Sequence, residues 1–74
     1  MKAILEFNLP DDDHQFEMAT KGSSFHSVLW EMDQYLRAKI KYAPDDMSED
    51  AFKTFEMCRS QLHEIMGSYN VSVD

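Results

Sequence analysis

The spacing of apolar positions changes along this chain, and each change marks an element. Between Ala3 and Leu9 the pattern alternates, with Ala3, Leu5 and Phe7 on one side and Ile4, Glu6 and Asn8 on the other, the period of a short strand. From Phe25 to Tyr42 the period lengthens: Phe25, Val28, Leu29, Met32, Tyr35, Leu36 and Ile40 recur at the i, i+3, i+4, i+7 spacing of a long amphipathic helix. A third stretch repeats that spacing through Ala51, Phe55, Cys58, Leu62, Ile65 and Met66.

The residues between these stretches act as punctuation. Pro10 ends the strand, and Asp11 or Asp12 can cap a short helix that carries Phe16 and Ala19 inward and stops at Gly22. Ser23 or Ser24 is placed to cap the long helix, which must finish near Tyr42 because Ala43 precedes Pro44 and is pushed out of helical angles. Ser48 is a good N-cap for the last helix, Glu49 and Asp50 suit its first turn, and Gly67 suits its end. The connection before Ser48 has the length usual between packed neighbours, so the two long helices are expected to form an antiparallel hairpin. Val71 and Val73 alternate as a second short strand would.

The expected fold is therefore α+β and mostly helical, a single small domain over residues 1–74. Its elements are a short N-terminal strand, a short helix, an antiparallel pair of longer helices and a short C-terminal strand. Two isolated strands pair only marginally, and a chain of 74 residues has little core of its own. Both facts point to a homo-oligomer. Cys58 is the lone cysteine, which excludes an internal disulfide. No apolar run approaches the ~18 residues of a membrane span and no secretory leader is legible, so a cytoplasmic protein without membrane contact is expected.

Charge narrows the partners. Fourteen Asp and Glu stand against seven Lys and Arg, a net charge of -7, which disfavours direct binding to nucleic acid and favours a basic protein partner. Asp11, Asp12 and Asp13 make one acidic cluster that could serve as a contact surface, while Arg37, Lys39 and Lys41 gather at the end of the long helix, where cations suit the helix dipole.

Catalytic and metal chemistry finds little footing. His14, His26 and His63 lack metal-ligand spacing, and after His63-Glu64 a glycine, Gly67, stands where a zinc protease needs its second histidine. Cys58 lies on the apolar stripe of its helix, where a thiol is unreactive. Both glycines sit at helix boundaries, so no phosphate-cradling loop exists. The expectation is a protein that is not an enzyme and has no cofactor.

One flank of the long helix is not explained by core-building. Trp30, Arg37 and Lys41 point away from the apolar stripe and Asp33 sits at its border. Asp33 and Arg37 have the spacing of a surface ion pair, but tryptophan and arginine are also the residues that dominate binding interfaces. The expected contact set is Trp30, Asp33, Arg37 and Lys41, with coverage of Trp30 by the N-terminal segment as the competing reading.

The run Val28-Leu29-Trp30-Glu31-Met32-Asp33-Gln34-Tyr35-Leu36-Arg37, followed by Ile40-Lys41-Tyr42, resembles a core found in small acidic proteins of tailed bacteriophages. The similarity extends to Leu5-Glu6-Phe7-Asn8-Leu9-Pro10, to Phe16, Ala19 and Gly22, and to the last helix. The resemblance implies an accessory protein working in the host cytoplasm by binding a host or viral protein and modulating, most simply inhibiting, its activity. A homo-oligomeric structural module of a phage assembly and an accessory factor in phage replication or transcription are the alternatives.

Overall fold

A computed structural model describes residues 1–73 as three helices: α1 (Asp13–Thr20), α2 (Gly22–Lys41) and α3 (Glu49–Ser68). α2 and α3 lie against each other as the expected hairpin, and α1 leads into α2 through Lys21, whose N–H donates to the Glu17 carbonyl and whose carbonyl accepts the Phe25 N–H. The expected class is corrected on one point: the described residues contain no strand, so the fold is all-helical. The alternation at Ala3–Leu9 is present, but a strand needs a ladder partner, and Ile4 and Leu5 are both exposed. The other candidate, Val71 to Val73, is already committed. The Val71 N–H donates to the Met66 carbonyl at 2.8 Å and the Asn70 N–H to Gly67 at 3.1 Å, while Asn70 takes a left-handed φ of 57°. This closes the end of α3 with a Schellman motif built on asparagine.

The helix boundaries follow local chemistry, with three shifts from expectation. α2 ends at Lys41 before Ala43-Pro44, and Ser48 caps α3 by accepting the Ala51 N–H at 3.1 Å. Gly22, however, opens α2 rather than stopping α1, and Ser23 and Ser24 lie inside the first turn of α2 instead of capping it. Gly67 lies within α3, and Asn70 does the terminating. Asp12 precedes α1, but its carboxylate is turned back to accept the Asn8 N–H at 2.9 Å. An edge-to-face contact of Phe7 with Phe16, centroids 5.6 Å apart, holds the N-terminal segment on α1.

The core runs along the hairpin seam. Leu36 and Met66 are buried, and Leu29, Ile40, Phe52, Phe55 and Leu62 are half-buried around them. On α2 the inward line is Leu29, Asp33, Leu36, Ile40, alternating steps of four and three. It is rotated from the expected stripe, so Phe25, Val28, Met32 and Tyr35 face outward. On α3 the inward line is Phe52, Phe55, Arg59, Leu62, Met66, which turns Cys58 and Ile65 out, contrary to the expected face. One acid and one base occupy seam positions and meet there, Asp33 of α2 against Arg59 of α3.

Candidate functional site: the polar centre of the hairpin and its outer flank

Asp33 is 3% exposed, the only buried charged residue among those described. Its carboxylate is satisfied from the opposite helix. Arg59 Nε–H donates to Oδ1 at 3.0 Å and Nη2 lies 3.4 Å from Oδ2, a side-on fork. A carboxylate can only accept, so His63 holds its proton on Nε2 and donates to the same Oδ1 at 2.5 Å. The hydrogen bond from the Arg59 guanidinium holds the Asp33 carboxyl below its ordinary value; burial opposes this, and His63 adds to the lowering.

An Asp–His pair can orient an imidazole for base chemistry, but here the carboxylate is shared with a guanidinium. Neither Ser60, which lines the same depression as His63, nor Cys58 hydrogen-bonds to the ring. The cluster joins two helices through Asp33, Arg59 and His63. The expected contact residue Asp33 is thus withdrawn from the surface, and its expected Arg37 partner is replaced by Arg59 and His63.

The remaining members of the expected set lie on the outer flank. Trp30 is 47% exposed and lines a depression of about 490 Å³ with His26, Ser27, Glu31 and Val73. Arg37 is exposed, makes no ion pair among the described residues, and lines the neighbouring depression beside Gln34, His63 and Val73. Val73 therefore borders both. Lys41 is exposed at the far end of α2, its Nζ 5.5 Å from the centre of the Tyr42 ring. Trp30, Arg37 and Lys41 share the outer flank of α2, with Lys41 one turn beyond Arg37 at the end of the helix. Of the acidic cluster, Asp11 and Asp13 are exposed while Asp12 is spent on Asn8.

No helix is long and apolar enough to cross a membrane. Compared with known proteins, the chain matches no family model, no curated protein and no solved structure.

Proposed function

We propose that this chain is a phage-encoded accessory protein that acts by binding, in the host cytoplasm, and that it inhibits or redirects a host or viral protein without chemistry of its own. The observation that carries this reading is the imbalance of its apolar residues. Among the described apolar residues only Leu36 and Met66 are buried, while Phe25, Val28, Met32 and Tyr35 are exposed along one side of α2 and Trp30 is half-exposed on the other. Scattered exposed apolar residues are ordinary, but contiguous ones on a rigid helix mark a surface that another protein covers. The working form is a homo-oligomer, supported by how little one protomer buries.

The partner meets the Trp30–Arg37 flank. A half-exposed indole on the same flank as a guanidinium that makes no ion pair among the described residues is the composition of an interface centre, and the net charge of -7 speeds encounter with a basic target. Capture of partners from infected cells by wild type and by Trp30→Ala, followed by calorimetry with the purified target, tests the reading. The substitution is expected to weaken binding by about 2 kcal/mol while thermal stability is largely kept. Unchanged affinity with a large loss of stability would reassign Trp30 to the core.

A further inference from the structure

α2 carries two seams, and one protomer fills only the first. Leu29, Asp33, Leu36 and Ile40 face α3. Phe25, Val28, Met32 and Tyr35, continued by Lys39 and Tyr42, form a second line in alternating steps of three and four, and its large apolar members are exposed. On α3 the positions next to the seam, Ala51, Cys58 and Ile65, recur every seven residues, and the last two are exposed. Because the helices run in opposite directions, these two lines emerge on the same side of the hairpin, where Tyr35 and Tyr42 of α2 and Phe55 of α3 share one groove. That side lies opposite the Trp30–Arg37 flank.

Heptad spacing on a second face of a helix is what a bundle requires, since each helix there has two neighbours. The protomer alone is a single layer with extents of 56 × 28 × 19 Å and a radius of gyration of 17.6 Å, against about 11 Å for a compact domain of this length. Domains close their cores with two layers.

Charge says which second layer fits. The chain bears 14 carboxylates, yet none falls on either line, and the one acid at the hairpin seam is paired internally. A surface meant for a basic partner would carry acids; one meant for another copy of the same acidic chain must exclude them. Size agrees as well: 20-residue helices are about 30 Å long and neighbours lie about 10 Å apart, so the side offers about 600 Å² per copy, near the lower bound of stable interfaces.

We propose that this side is the interface between two copies of the chain, each hairpin supplying half of a four-helix bundle. A two-fold axis sets the bulky α2 line of each copy against the smaller α3 line of the other, the self-complementarity that a symmetric dimer needs. The inference rests on the oligomer reading above and assigns it a face and a stoichiometry.

Sedimentation of the full chain across a concentration series is the test, with Val28→Glu and Trp30→Ala run beside wild type. Wild type is expected at twice the 8.7 kDa chain mass. Val28 is 63% exposed in one protomer, so a carboxylate there is tolerated by the hairpin but not by the interface, and dimer dissociation should rise about 100-fold or more. Trp30→Ala, on the opposite flank, should remain a dimer. Modification of Cys58 by a thiol reagent in wild type gives a reading that needs no variant: it should slow as concentration rises through the dimer range. A wild-type monomer at every concentration overturns both the oligomer and the face. A dimer that survives Val28→Glu with Cys58 reacting at a concentration-independent rate overturns the face alone.

Discussion

The polar centre of the hairpin makes an asymmetric demand that a substitution series can read. Arg59→Met keeps the apolar stem but strands the Asp33 carboxylate at 3% exposure with only His63 for company. Leaving a buried charge without its main partner costs about 3 kcal/mol or more. Asp33→Leu removes the carboxylate instead, and the side chains it releases, Arg59 at 31% and His63 at 49% exposure, can take up water. That change should cost about 1 kcal/mol, the net worth of an ordinary hydrogen bond. The double variant replaces an ion pair by two apolar side chains and should lie within about 1 kcal/mol of wild type. Urea unfolding followed by far-UV circular dichroism gives the numbers, at one fixed protein concentration because folding and association are linked. A core of this size seldom supplies more than about 3–5 kcal/mol. Arg59→Met therefore consumes most of the available stability, and the series is best run with a stabilising osmolyte. If Asp33→Leu proves the more damaging of the two, or if the double variant shows the plain sum of both losses, the account of this cluster as a desolvated carboxylate rescued by Arg59 is wrong.

Two further expectations concern the protomer. Because the folded-state carboxyl of Asp33 sits below its unfolded value of about 3.9, the folded state binds fewer protons there. Its stabilising contribution is complete above about pH 4 and is lost as pH falls through the lowered value, so the stability gap between wild type and Asp33→Asn should shrink on acidification and would refute the assignment by widening. Ser48→Ala removes the acceptor for the Ala51 N–H and should cost about 1 kcal/mol, recoverable in large part by Ser48→Asp, as thermal unfolding would register.

Much of the helical frame was legible because it depends on local chemistry. Pro44 fixed the end of α2, Ser48 fixed the start of α3, and the short connection made the hairpin. The strands failed for a non-local reason: alternation at Ala3–Leu9 states what a strand would look like but supplies no partner. The rotation of both helices is not legible from hydrophobicity alone, because each inward line includes a charged residue. A seam reading would have found it. The lines Leu29-Asp33-Leu36-Ile40 and Phe52-Phe55-Arg59-Leu62-Met66 each hold one charge, and the charges are opposite in sign. The outer flank was legible as Trp30 and Arg37 because both lie off every apolar line, whereas Asp33, judged as a border residue, belongs inside.

The Asp33–Arg59 link also decides how the two rods are keyed. A slide of one helix past the other by a heptad would shorten the overlap of these 20-residue helices by about 10 Å of about 30 Å, but the leucine, isoleucine, phenylalanine and methionine still in contact are nearly interchangeable and would not mark the register. The same slide would set Asp33 against Phe52 or Met66, and Arg59 against Ile40 or His26, burying both charges without a mate. A modest contributor to strength thus adds alignment to what the short connection already imposes, and in a chain with so small a core that penalty on misaligned forms favours a single native one.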